Sequence, residues 1–278
     1  MSDFREPQFD VDTTSFGAAD HNAAAATSPA PAAEPRPADA ATTAAEPQEF
    51  SYPSMFGTAE VFDMQTPEGD PVRALYVDGG FQSLCYTDSR RFEPAFEYCK
   101  AFDTIFHINP DAKRILVLGG GAFSWPKHVL ATCPDVQLDV VEIDPVIVDI
   151  ARKHFFLDEA TERFGADRLN VTIDDGRRFL ANAEPGTYDA IVNDTFAGTA
   201  METPRRAPDA LLLDKRALAP GGLYLLNAVA EDDLGFQDHA ALHEVYETLA
   251  QQFSFVRESV IEDLEFSGAV NHVFFARE

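Results

Sequence analysis

Three consecutive glycines, Gly119, Gly120 and Gly121, follow the apolar run RILVL, and acids close each of the apolar runs that come next. Residues without a Cβ at such a turn let a ligand or a second backbone approach closely. Glu142 ends LDVVE, 21 positions after Gly121, with Asp144 just beyond it. A carboxylate there in a strand–turn–helix unit faces the ribose of a bound nucleoside and accepts from its hydroxyls. Asp174, Asp175 and Gly176 close LNVTI. An acid at that place can accept from an adenine amino group, or cap the helix that follows. Asp194 ends YDAIVND, at the sheet edge where ligands sit in such folds, and can hold or deprotonate an amine beside a reacting carbon.

The dinucleotide pattern G-x-G-x-x-G needs a glycine where this chain has Ser124, so NAD is not the expected ligand. His239 and His243 stand four apart without the H-E-x-x-H context of a metal helix, and no metal is expected. Glu231, Asp232 and Asp233 follow a strand near the expected pocket rim and read as a solvated loop that could attract a cation. Trp125 either shields the ligand or packs.

The elements that must position these residues are legible as alternation. RILVLG, LDVVEID, LNVTID, YDAIVND and LYLLNAV read as strands of a parallel sheet. Helices start near Ser124, a candidate cap, and at Pro145, and others cover RRFLANA, about 210–219 and about 240–253. Two final runs, FVRESVI and HVFFAR, predict an antiparallel edge, the ending of a class I methyltransferase sheet rather than a dinucleotide-binding one. A Rossmann-like α/β fold from about Lys113, holding S-adenosylmethionine or a close relative, is therefore expected. Before it, AEVFDM, VRALYVD and FQSLCYT predict a small antiparallel β module, and Pro94 is expected to open a helix through Phe106.

Residues 1–50 are rich in Ala, Pro, Thr and Glu, with few large apolar side chains to offset ordering entropy, and read as a disordered acidic tail. The expected division is thus tail 1–50, β module 51–90 and nucleoside-binding domain 91–278. Net charge is −26 without clusters of Lys and Arg, which argues against nucleic acid. Cys85, Cys99 and Cys133 lack metal-ligand spacing and read as reduced thiols. With neither a leader-like apolar run nor a membrane-length one, a soluble cytoplasmic protein with no membrane partner is expected.

At LYVDGGFQS, RILVLGGG, VVEIDP, IDDGRRFL, YDAIVND and NHVFFA the chain resembles the spermidine synthase family, the aminopropyltransferases. The resemblance runs from about Phe56 to the end. It implies a small β module before a Rossmann-like domain, and dimers or tetramers, so a homodimer is compatible with it. It also implies decarboxylated S-adenosylmethionine as the co-substrate that alkylates an amine. Glu142 would bind the ribose, Asp175 with Gly176 the adenine, and Asp194 would accept the proton.

The departures fall on the other half of that site. An Asp normally continues the glycine turn where this chain has Ala122, and a second Asp stands where it has Ala197. A loop tyrosine corresponds to Phe266. A buried polyamine dication needs paired carboxylates. The expectation is therefore an S-adenosyl-dependent transferase, moving a methyl or aminopropyl group to a small acceptor other than putrescine. The alternative is a non-catalytic nucleoside-binding sensor of the same fold.

Overall fold

The computed structural model describes residues 49–195, 208–231, 236–262 and 269–278. The expected tail lies outside these, except that Glu49 and Phe50 already belong to a strand.

The β module has one strand more than the sequence suggested. β1 (Glu49–Ser54), β2 (Gly57–Gln65), β3 (Pro71–Val77) and β4 (Gly80–Tyr86) form an antiparallel meander in that order. β1 carries Pro53 and is nowhere fully buried, which suits an edge strand. The inner face of the meander, with Ala59, Val61, Leu75, Val77 and Cys85, packs on Ala122, Ile147, Ile150 and Phe155. One apolar cluster thereby joins the module to the main domain.

The helix expected from Pro94 is shorter and broken. Pro94 bridges Cys85 in extended backbone, and α1 (Glu97–Ala101) and α2 (Thr104–Ile108) follow, separated at Phe102 and Asp103. The Asp103 carboxylate accepts from the Trp125 indole at 2.8 Å and meets the His128 ring at 3.2 Å, so the break has partners waiting for it.

The main domain alternates strand and helix. Its elements are β5 (Arg114–Leu118), α3 (Ser124–Thr132), β6 (Gln137–Glu142), α4 (Pro145–His154), α5 (Leu157–Phe164), β7 (Leu169–Ile173), α6 (Gly176–Asn182), β8 (Tyr188–Asn193), α7 (Pro208–Ala217), β9 (Leu218–Glu231), α8 (Phe236–Gln252), β10 (Phe255–Glu262) and β11 (Ala269–Arg277). The sheet runs β10-β11-β9-β8-β5-β6-β7. β5 to β9 are mutually parallel, and β11 inserts antiparallel between β9 and β10. This is the Rossmann-like class I methyltransferase arrangement, with the antiparallel ending the sequence predicted. Only α5 was not foreseen.

Continuous apolar strands such as RILVL are buried on both faces, as a sheet covered on two sides requires. One face packs on α1 to α5 through residues such as Phe102, Trp125, Val129 and Leu157. The other packs on α6, α7 and α8 through Leu180, Leu211, Leu242 and Leu249. The strand order turns outward in both directions from β5, which opens a crevice at the carboxyl ends of β5 and β8.

Candidate active site

A cavity of about 420 Å³ occupies that crevice, closed on one side by the β module. Gly119, Gly120, Gly121, Glu142, Asp175, Gly176 and Asp194 all line it, so four separate stretches of the chain converge on one space. The volume lies in the range of small-molecule sites.

The glycine turn is required by packing as much as by any ligand. Gly119 has φ of 89°, and a Cβ there would stand 2.3 Å from the Asp194 carbonyl oxygen. No other residue type lets β8 end so close to β5. Ser124, expected as a cap, instead donates its hydroxyl to the Leu84 carbonyl at 3.0 Å, and Phe123 precedes α3 in left-handed backbone.

Glu142 is gathered by this turn. Its Oε2 accepts from the amides of Gly120 at 2.8 Å and Gly121 at 3.4 Å, and its Oε1 accepts from the Asp144 amide at 3.0 Å. Those bonds fix the carboxylate at the cavity wall and leave Oε1 acceptor capacity for a ligand hydroxyl. Asp144 has a different place from the one expected. It is fully buried, caps α4 by accepting from Val146 N at 2.8 Å, and accepts from Met55 N at 2.7 Å. It does not line the cavity, because both oxygens are committed to tying α4 to the β module.

Asp175 caps a helix and lines the cavity. Its Oδ1 caps α6 by accepting from Arg178 N at 2.9 Å, and it faces the cavity beside Gly176. Asp174 accepts from Asp175 N at 2.7 Å and pairs with the Arg178 guanidinium, which holds its carboxyl below the usual range. Arg177 supplies the one cationic side chain among the described lining residues.

Asp194 sits just past β8 and is enclosed by side chains from distant elements. Asn227 on β9 donates to Oδ1 at 2.9 Å, and the Tyr98 hydroxyl on α1 donates to Oδ2 at 3.2 Å. Burial pushes this carboxyl up to about 6, against the lowering effect of both hydrogen bonds. Burial, and then the nearby Asp194 charge, push the Tyr98 phenol well above its ordinary value. Asn227 is itself fully buried, and its Oδ1 has no hydrogen-bond partner among the described residues. A buried acceptor left so is costly unless a donor reaches it.

Sequence reading missed Tyr98, Asn227 and Ser83. Asn227 interrupts the apolar run LYLLNAV, and a polar residue inside a buried strand is the signal that could have found it. Ser83 accepts from Ala122 N at 3.0 Å, so the turn that continues through Ala122 is closed by a hydroxyl from the β module. Trp125 is buried, donates to Asp103 and stacks on Phe106, so it packs at the cavity wall. His243 is exposed, and the side chain of His239 lies outside the described residues. So do the side chains of Glu231, Asp232, Asp233, Ala197 and Phe266. Among the described residues no cluster of His, Cys, Asp and Glu could hold a metal, no helix is long and apolar enough to cross a membrane, and all three cysteines are free.

The spermine/spermidine synthase domain model matches residues 103–261, which carry all these acids. The chain belongs to that family. Relatives include a polyamine aminopropyltransferase of Mycobacterium tuberculosis, 32% identical over 59% of this chain and 30% of its own length. Spermidine synthase 2 of Datura stramonium is 37% identical over 41% of this chain and 35% of its own length. The matches thus span about a third of these relatives. A probable spermidine synthase from Corynebacterium glutamicum has the same fold, with a TM-score of 0.65 at 23% identity over 84% of this chain and 81% of its own. Human methyltransferase-like protein 13, solved with SAH, matches with a TM-score of 0.53 at 25% identity over 65% of this chain and 82% of its own.

Proposed function

We propose that this family member is a transferase that binds decarboxylated S-adenosylmethionine and moves its aminopropyl group to an amine other than putrescine. The observation that carries the reading is Asp194. It is a carboxylate at the cavity end of β8, oriented by Tyr98 and Asn227, with its carboxyl pushed up to about 6. A base of that strength is ionised at neutral pH and still takes a proton readily.

The co-substrate supplies a carbon activated by the neighbouring sulfonium. Glu142 holds the ribose and the Asp175–Gly176 turn the adenine. As nitrogen bonds that carbon and the carbon–sulfur bond breaks, the leaving group is a neutral thioether, methylthioadenosine. The proton shed by nitrogen goes to Asp194. Asn227, fully buried behind the cavity wall, holds Asp194 Oδ1 through its Nδ2. Catalysis is mostly positioning.

The acceptor differs from putrescine because Ala122 and Ala197 stand where the family pattern has carboxylates. Ala122 is fully buried, its amide taken by Ser83. The other acids among the described lining residues belong to the ends of β6 and β7, the nucleoside side. A second reading, methyl transfer from intact S-adenosylmethionine, is favoured by that same loss at Ala122.

The test is product analysis. The chain is incubated with each co-substrate and a panel of monoamines and diamines, and products are read by mass spectrometry. Aminopropylated monoamine with methylthioadenosine is the expected result. Methylated product would replace the reading with methyl transfer, and bound nucleoside without any product would make the chain a sensor.

A further inference from the structure

From half-buried Thr195 at the cavity wall a polar chain runs into the core on the face of the sheet away from Tyr98. Thr195 donates its hydroxyl to Asn193 Oδ1 at 2.8 Å, and Asn193 Nδ2 donates to the Tyr224 hydroxyl at 3.0 Å. Asn193 and Tyr224 are fully buried, outside the cavity, and the Tyr224 ring stacks on Phe253 at 5.8 Å with 10° between planes. The Thr195–Asn193 bond spans Asp194, closing a side-chain clamp over the residue that carries the carboxylate. The Asp194 amide donates to Leu118 O at 2.9 Å, so backbone and clamp together fix where that residue starts.

We propose that Asn193, anchored by Tyr224, is a positioning residue that aims the Asp194 carboxylate at Tyr98 and Asn227. A buried amide costs stability unless both its ends are satisfied, and here both are, by the hydroxyls of Thr195 and Tyr224. The catalytic consequence rests on the transferase reading above, while the aim of the carboxylate does not. The titratable groups facing Asp194 are Tyr98 and Cys99 from α1 and, around the cavity, Glu142, Asp174, Asp175 and Arg177.

The test compares Asn193→Leu and Tyr224→Phe, which lie outside the cavity, with wild type. Each is followed by carboxyl-carbon NMR titration of Asp194, nucleoside calorimetry and, where turnover exists, its pH profile. The Asp194 midpoint is expected to rise above about 6 in Asn193→Leu, as the carboxylate loses the Tyr98 and Asn227 hydrogen bonds that favour its ionised form. Tyr224→Phe, which keeps the ring stack, should shift it part of the way. Nucleoside affinity should hold within about twofold while kcat drops by about a hundredfold, the scale of an ångström-sized misplacement. Thr195→Ser should behave as wild type, and Thr195→Val as Asn193→Leu. An unchanged Asp194 midpoint in folded Asn193→Leu would overturn the proposal. Absence of turnover in wild type would overturn the transferase reading and leave the NMR arm intact.

Discussion

The two ends of the cavity are held by different means. At the ends of β6 and β7, Glu142 and Asp175 are fixed by backbone amides a few residues away or in the adjoining glycine turn. At the end of β8, Asp194 is fixed by side chains from α1 and β9, remote in sequence. The first end follows from any strand-turn-helix unit of this kind. The second depends on particular residues that can change one at a time.

Asp194→Asn breaks the comparison most sharply. Turnover should fall by about two to four orders of magnitude with nucleoside affinity unchanged, measured by steady-state kinetics and calorimetry. The same substitution should stabilise the fold at neutral pH. A carboxyl raised to about 6 when folded, against about 4 unfolded, favours the native state below the unfolded value. That advantage is lost as pH rises through about 6, a difference on the order of 2 kcal/mol. Thermal melts of Asp194→Asn should exceed wild type at pH 7.5 and match it near pH 3.

Glu142→Gln acts at the other end. It should weaken nucleoside binding by about tenfold to a hundredfold, the worth of a charged hydrogen bond, with its proportionate loss in kcat/KM and little in kcat. Asp144→Ala should cost about 1 to 2 kcal/mol of stability, as loss of an N-cap does, and leave affinity nearly as it was. Equal losses of affinity in both variants would mean that Asp144 also reaches the ligand. Tyr98→Phe is the mildest. Removing a hydrogen bond that favours the ionised form should move the acidic limb of the rate profile above about 6 and reduce turnover at pH 7 by a few-fold.

The strand order and the convergence of the glycine turn with Glu142 and Asp175 on one cavity were legible because their signals are local. Continuous apolar runs, a glycine turn and an acid at each strand end are read without knowing what lies opposite. Asp144 misled because a strand-end acid and a helix cap look alike in sequence; its buried bond to Met55 N, 89 residues away, decides between them. Asn227 showed only as a polar residue in an apolar run, and Tyr98 and the Asn193–Tyr224 pair were invisible for the converse reason. Their meaning lies in contacts across the sheet that no spacing encodes. The edge strand β1 escaped because only Phe50 and Tyr52 mark its period, and it abuts the Ala/Pro-rich segment.

Aminopropyl transfer is most directly tested by calorimetric affinity for decarboxylated against intact S-adenosylmethionine. The described lining carries Glu142, Asp174, Asp175 and Asp194 against Arg177, an acidic surround that should repel the extra carboxylate of the intact form. Tighter binding of the decarboxylated form, by about tenfold or more for one repelled charge in a partly buried site, is the expected result. Tighter binding of the intact form would contradict aminopropyl transfer and turn the site to methyl transfer.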